Sequence, residues 1–248
     1  MKRLLFALGL ALACLILGIG SSLAQTVAFL PMDGTDGSTT FTDTMGNTWT
    51  PSGDVHISTA QAVSNGASAY FDGNDDFIGV SDSSVFDFSG PFTIDFYMFP
   101  LDGTAKNQYI AGESRPDYGN GVDIRFDEGY MDGWGYAGWY GRLTEDRTKP
   151  GLVNLNNWNH IMVSVASDQV SLYINGQLAV QRHRGTINDG VNPFRIGDQL
   201  NFGGPGFKGY IDDFRISDQP LAPVPIPGAA LLLGSGLLGL AVVRRRKK

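Results

Sequence analysis

Between Gln25 and Ala222 no stretch of this chain sustains a helical period, while short β-branched and aromatic runs recur throughout. That feature constrains the fold more than any other, because a run that alternates apolar and polar residues buries a single face only as a strand. The runs are Val27–Leu30, Ala69–Phe71, Phe77–Val80, Phe92–Phe99, Gln108–Ala111, Val122–Phe126, Trp134–Tyr140, His160–Ala166, Val170–Ile174, Gln177–Gln181, Phe194–Ile196 and Phe207–Ile216. Gly, Asn, Asp and Pro punctuate the intervals, as turns require. Phe92, Ile94, Phe96 and Met98 share one side of their run, which predicts a core face. Val170, Leu172 and Ile174 do the same, and Asn175-Gly176 then supplies a type I′ hairpin turn, since both residues tolerate positive φ. The pattern predicts an all-β sandwich or barrel in one domain, residues 25–222, with no internal repeat.

Charge is divided as sharply as periodicity. The 248 residues carry 18 Lys and Arg against 25 Asp and Glu, a formal charge of −7. No acid precedes Asp33 or follows Asp218, whereas Lys2, Arg3, Arg244, Arg245, Arg246, Lys247 and Lys248 flank the two long apolar runs. Without those seven bases, 11 remain against 25 acids, a net −14 for the middle. An acidic domain lacks the basic footprint of phosphate recognition, so nucleic acid is excluded as a partner. A single cysteine, Cys14, rules out an internal disulfide framework and a Cys-rich zinc site.

The two ends read as addresses. Lys2 and Arg3, an uncharged apolar stretch from Leu4 to Ile19, and Ser22-Leu23-Ala24 form a secretory signal over residues 1–24, with signal peptidase cutting after Ala24. At the other end, residues 223–248 hold Val224-Pro225-Ile226-Pro227, an apolar run to Val243 and the basic cluster. As a transmembrane helix, Ile226 to Val243 spans about 27 Å, close to a hydrocarbon core. The cost of placing Arg or Lys at mid-membrane keeps Arg244, Arg245 and Arg246 on the cytoplasmic side and the acidic domain outside. The prolines mark the outer border of the helix.

These three parts, in this order, resemble the PEP-CTERM sorting signals of Gram-negative bacteria, with Ile226 in the place of the usual Glu as in the VPLPA variant. The resemblance implies recognition by an exosortase, cleavage near Val224–Pro227, transient anchoring in the inner membrane, and release or attachment at the cell surface. A plain tail anchor is the alternative.

The middle also resembles a family. Phe29-Leu30-Pro31-Met32-Asp33-Gly34, Ala69-Tyr70-Phe71-Asp72-Gly73-Asn74-Asp75-Asp76-Phe77, Trp158-Asn159-His160-Ile161, Leu172-Tyr173-Ile174-Asn175-Gly176 and Phe207-Lys208-Gly209-Tyr210-Ile211-Asp212-Asp213-Phe214-Arg215-Ile216 together are similar to the concanavalin A-like lectin/glucanase fold in its LamG-like form. The resemblance implies two antiparallel sheets in a jelly-roll sandwich with the terminal strands adjacent, and a recognition module whose ligands vary widely.

Catalysis finds little support in the residues. Glycoside hydrolysis needs two carboxylates about 5–9 Å apart, and Glu113, Glu128 and Glu145 are each isolated in sequence. His56, His160 and His183 lack ligand spacing, and no nucleophile elbow surrounds a serine of the middle. The expectation is a protein that is not an enzyme.

A cation site is the sharper expectation. Asp212-Asp213 interrupts an apolar strand, and whichever side faces the core, one carboxylate points near it unless a bulge intervenes. Asp33 closes the first run, and Asp43 and Asn47 follow in a turn. Adjacent terminal strands, as the resemblance implies, bring Asp33 to Asp212 or Asp213, where LamG-like relatives often carry calcium, an ion held by oxygen ligands. Asp33, Asp43, Asn47, Asp212 and Asp213 are therefore the candidate Ca²⁺ ligands. The alternative is that these acids pair with Arg215 or Arg195, or cap turns. Trp134, Tyr136 and Tyr140 share one strand face beside several glycines and are the candidate sugar-stacking residues, with a plain core role as the alternative. The expected function is an exported adhesion or recognition module that binds extracellular polysaccharide or a surface glycoprotein. A structural matrix protein and a glycan hydrolase are the alternatives.

Overall fold

The computed structural model describes residues 24–104, 108–113, 122–127, 130–135, 152–183, 192–198 and 205–223. They form strands β1 (Thr26–Leu30), β2 (Thr50–Ser52), β3 (His56–Ser58), β4 (Ser68–Asp72), β5 (Phe77–Val80), β6 (Phe92–Pro100) and β7 (Gln108–Glu113). The chain continues with β8 (Val122–Asp127), β9 (Tyr130–Gly135), β10 (Asn159–Val165), β11 (Gln169–Ile174), β12 (Gln177–His183), β13 (Phe194–Ile196) and β14 (Lys208–Ser217). One 3₁₀ turn, Ser84–Phe86, is the helical element among the described residues. Residues 1–23 and 224–248, with the predicted signal and sorting segments and so Val224, Pro225, Ile226, Pro227, Arg244, Arg245 and Arg246, lie outside the described residues. Among the described residues no helix is long and apolar enough to cross a membrane.

The strands make two antiparallel sheets. The larger has eight strands in the order β12-β11-β10-β6-β14-β4-β3, with β1 also paired to β14. The smaller has six, β2-β5-β13-β7-β8-β9. The predicted face of β6 is the core face: Phe92, Ile94, Phe96 and Met98 are buried. Phe214 on β14 and Phe194 on β13 meet across the sandwich at 6.1 Å between ring centroids, and Phe96 stacks on Phe214 at 5.4 Å. These contacts join the two sheets through one apolar layer, as two half-buried sheets require. The Asn175-Gly176 turn forms with φ of +52° and +77°, closing β11 to β12 with Ile174 opposite Gln177.

Two strands escape the sequence pattern. Thr50-Pro51-Ser52 and His56-Ile57-Ser58 are three residues long and mostly polar. Both lie at sheet edges, and Pro51 fits an edge because it lacks the N–H that a central strand needs.

The last strand departs from strict alternation. β1 pairs with the second half of β14, Leu30 opposite Phe214, while β4 pairs with its first half, Ala69 opposite Ile211. At the changeover the register against β6 shifts between Asp212 and Arg215, and Asp213 takes φ of +50°. This bulge resets the parity of the strand. Ile211, Phe214 and Ile216 all reach the core, with the two aspartates between them.

Candidate functional site

The first and last strands meet as expected, and the bulge places two carboxylates at their junction. Asp212 is fully buried. Its Oδ2 accepts the backbone N–H of Val63 (2.8 Å) and Ser64 (3.2 Å), and its Oδ1 accepts the N–H of Asp213 (2.9 Å). The side chain thus supplies hydrogen-bond acceptors where β14 changes partner. Burial pushes its carboxyl up to about 6, against the lowering pull of those N–H donors. Burial also raises Asp213, and the charges of Asp33 and Asp95 add to it. Asp33 is held through Oδ2 by the Asn65 side-chain amide at 2.8 Å. Its Oδ1 is buried and finds no hydrogen-bond partner among the described residues, whereas the Ser64 hydroxyl faces the Asp213 carboxylate and lowers it against the effect of burial.

Asp33, Ser64, Asp212 and Asp213 therefore place oxygen atoms of the kind calcium takes at one junction, in an excess of negative charge, although the three carboxylates do not gather with ligand atoms all within 4.8 Å of one another. Asp43 and Asn47 do something different. Asp43 Oδ1 accepts the N–H of Phe29 (3.1 Å) and Met45 (2.7 Å), and its Oδ2 accepts Asn47 Nδ2 (2.7 Å) and Trp49 Nε1 (2.9 Å). Asn47 Nδ2 also donates to the carbonyl of Val27 at 2.9 Å. The pair ties its turn to β1, with both carboxylate oxygens engaged.

A trio of carboxylates with oxygens within 4.8 Å of one another lies elsewhere, at Asp54, Asp72 and Asp76. Asp76 is buried and accepts the backbone N–H of Asp54 (2.7 Å) and Asp72 (2.8 Å). Asp72 in turn accepts the N–H of Asn74 at 2.8 Å. These bonds close turns, the usual work of Asp beside Gly and Asn. His160 Nε2 meets Asp95 across the β10–β6 pair.

The smaller sheet carries a polar layer that sequence reading left aside. On its inner face are Ile78, Val80, Ala111, Ile124, Phe194 and Ile196, all buried. Arg195 alternates to the outer face and lies between two glycines, opposite Gly79 on β5 and Gly112 on β7. Its guanidinium sits 4.0 Å from the centre of the Phe77 ring. Gly112 is opposite Asp123, and Tyr109 is opposite Arg125, so these side chains share that outer face. Arg125 Nη2 and Asp123 Oδ2 pair at 3.1 Å. Tyr109 is only 2% exposed, and its hydroxyl finds no hydrogen-bond partner among the described residues. Nε and Nη1 of Arg195 are buried in the same condition. Burial raises the Tyr109 hydroxyl well above its ordinary value, helped by the charges of Asp123 and Glu113 and opposed by Arg125 and Arg195. Burial also lowers Arg195, against the charge of Asp198.

Arg195 is thus on the opposite sheet from β14, not a partner for Asp212 or Asp213. Trp134 on β9 is in register with Asp123, while Tyr136 and Tyr140 lie outside the described residues. No sequence period marks Arg195 or Tyr109. The available signal was the pair of glycines, Gly79 and Gly112, that become the arginine's neighbours only when β13 pairs with β5 and β7.

A family model described as the concanavalin A-like lectin/glucanases superfamily matches residues 72–226. Several solved structures are similar to the chain. One is domain 4 of AbnA, a GH43 extracellular arabinanase from Geobacillus stearothermophilus, in complex with arabinotriose, at 18% identity and a TM-score of 0.55, covering 81% of this chain and 95% of that one. Another is the botulinum neurotoxin serotype D ligand-binding domain in complex with N-acetylneuraminic acid, at 14% identity and 0.55, covering 80% and 48%. Trypanosoma rangeli sialidase in complex with sialic acid is similar at 15% and 0.56, covering 80% of this chain and 31% of the sialidase. The chain spans nearly all of the arabinanase domain and about half or less of the other two. A comparison with curated proteins finds no match.

Proposed function

This chain belongs to the concanavalin A-like lectin/glucanase superfamily, and from that premise we propose that it is an exported carbohydrate-binding module of the cell surface or its surroundings. One observation carries the reading. The sandwich closes over an apolar core, and the outer face of its smaller sheet holds buried hydroxyl and guanidinium groups without hydrogen-bond partners among the described residues. Most buried polar groups are paired, so an unpaired set calls for a partner, and we read that partner as a polar ligand. The similar structures in complex with arabinotriose and N-acetylneuraminic acid are consistent with that use of the fold.

Export rests on residues 1–24, with signal peptidase acting after Ala24, and on the tail from residue 223, read by an exosortase-type enzyme after transient anchoring in the inner membrane. Mass spectrometry of the mature protein from native cells is expected to find a C-terminus near Val224–Pro227; an intact Lys248 would make the segment a retained anchor. Calcium is the proposed cofactor, held by Asp33, Ser64, Asp212 and Asp213; when bound it supplies positive charge that relieves the repulsion of the buried carboxylates. Those residues hold the β1–β14 junction, so the ion acts on the stability of the sandwich.

A glycan array, run with calcium and with chelator, is expected to give binding to extracellular polysaccharide fragments or glycoprotein glycans. A silent array in both buffers would favour a structural matrix protein. One observation favours a hydrolase as a second reading: Glu113 and Asp123, on the adjacent strands β7 and β8, are both buried and both act on Tyr109. Reducing-sugar release from the bound glycans separates the two, and none is expected from a binding module.

A further inference from the structure

We propose that Thr93 on β6 is a positioning residue for removal of the tail. It clamps the chain to the outer face of the eight-stranded sheet as far as Leu221, so the Val224–Pro227 segment meets the sorting enzyme at one fixed pole of the domain, against the membrane. The inference rests on the export and sorting reading and adds to it the surface that presents the cut. Three observations converge. First, a single buried hydroxyl holds the chain that follows β14. Thr93 alternates away from Phe92 and Ile94 to the outer face, yet it is only 1% exposed. Its Oγ1 donates to the carbonyl of Gln219 and accepts the N–H of Leu221, each at 2.8 Å. The hydroxyl thus acts as donor and acceptor at once, to two groups of the same turn. Ser217 on β14 and Ser164 on β10 are in register with Thr93, and both are buried. Three small side chains in a row leave room for a backbone to lie directly on the sheet.

Second, the two ends of the domain leave from one place. The N–H of Gln25 donates to Asp218 Oδ1 at 2.7 Å, and the N–H of Asp218 donates to the Gln25 carbonyl at 3.0 Å. Thr26 then pairs with Ser217, which pairs on its other side with Thr93. The proposed cut after Ala24 and the start of the tail are therefore joined by the neighbouring strands β1, β14 and β6. Two segments that enter the bilayer at this pole need no rearrangement of the folded domain between the first cut and the second.

Third, the clamp leaves little slack. Val224 follows Leu221 by three residues, and Ile226, where the apolar run opens, follows it by five. An extended chain covers at most about 3.6 Å per residue, so Val224 lies within about 11 Å of Leu221 and Ile226 within about 18 Å. A domain on so short a tether stands against the membrane surface, and its bulk limits the access of a membrane-embedded enzyme. Opening the clamp moves the last fixed point back to Asp218 and lengthens the free chain before Val224 from three residues to six. Release at Thr93 therefore sets the pace of the cut.

The test follows the full chain in native cells, by pulse-chase and mass spectrometry of the C-terminus, and the purified full chain in detergent micelles, by amide hydrogen exchange. Thr93→Val keeps the shape of the side chain and loses the hydroxyl. It is expected to speed exchange of the Leu221 amide about tenfold, the worth of one such hydrogen bond, while the amides of Ile94 and Phe96 exchange as in the wild type. The lifetime of the uncut chain is expected to shorten by a similar factor. Thr93→Ser keeps the hydroxyl and is expected to restore both. A short Gly-Ser insert between Leu221 and Ala222 leaves the clamp in place and is expected to speed the cut without changing Leu221 exchange. Unprotected Leu221 exchange in the wild type overturns the clamp. A cut that keeps the wild-type rate in Thr93→Val or in the insert overturns its role in presentation and leaves the sorting reading standing; where Thr93→Val fails to fold, the insert decides. A wild type that retains Lys248 in native cells instead removes the sorting reading beneath the proposal.

Discussion

Replacing Asp43 by alanine is expected to lower the unfolding free energy by about 4 kcal/mol, read by urea denaturation, and by the same amount in calcium and in chelator. The carboxylate is buried and accepts four donors: the N–H groups of Phe29 and Met45, the Asn47 amide and the Trp49 indole. Alanine leaves all four without their acceptor, and two of them belong to buried or half-buried groups of β1 and the core. Asp43→Asn tests the same account more finely. Its amide oxygen can still serve one pair of donors, but its Nδ2 then faces the other pair donor to donor. The variant is therefore expected to fall well short of wild-type stability although its shape is conserved. A loss seen only in calcium-containing buffer would instead make Asp43 a cation ligand.

The contrast between Asp43 and Asp33 defines what the sequence could express about the site. Both are aspartates near β1 with Gly and Thr close behind, Gly34-Thr35 in one case and Thr44 and Gly46 in the other, and nothing in that local pattern separates a turn clamp from a cation ligand. The difference is made by residues far along the chain. Trp49 turns its indole N–H to Asp43, whereas the Asp33 side meets Asn65 and the bulge at Asp213. A bulge inserts one residue without changing composition, so the alternation of β14 reads as regular in sequence and is not. Arg195 was obscured for a similar reason. Its neighbours Gly79 and Gly112 come from other strands, and a strand of three residues has no period to display which side is out.

The fold was far more legible, because strand faces are written in residues two apart. β5 and β13 coincide with their sequence runs residue for residue, and β6 differs by a single residue at its end. The buried set Phe92, Ile94, Phe96 and Met98 needed only alternation to be seen. The omitted strands β2 and β3 have one or no large apolar residue each, and they are held by pairing with β5 and β4 instead of by their own burial. Short edge strands of this kind draw their definition from the neighbour's hydrogen bonds, which no local pattern records.

In chelator, the protein is expected to become less stable as pH rises from about 4 to about 7, by on the order of 2 kcal/mol from Asp212. Burial raises its carboxyl from the ordinary 3.8 to about 6. Between those values the folded protein holds a proton that the unfolded chain has released, so raising the pH removes stability, and above about 6 the folded state carries the full cost of a buried charge. Asp76 and Asp213 are raised by burial as well and add in the same direction. Asp212→Asn keeps a side-chain oxygen for the N–H groups of Val63 and Ser64 and cannot ionise, while its Nδ2 meets the Asp213 N–H donor to donor, a smaller cost than a buried charge. It is expected to flatten the profile and to exceed the wild type in stability at pH 7 in chelator. Calcium reverses the order: a cation at Asp33, Asp212 and Asp213 turns the buried charge from a cost into a contact, so millimolar calcium is expected to raise the wild-type melting temperature at pH 7, less at pH 5, and least in Asp212→Asn. Thermal melts of the two proteins at these pH values, with calcium and with EDTA, separate the outcomes. A pH slope untouched by Asp212→Asn would assign it to other carboxylates, and a wild-type melting temperature indifferent to calcium would leave Asp212 as the acceptor that closes the β4–β1 gap, with no cation at the junction.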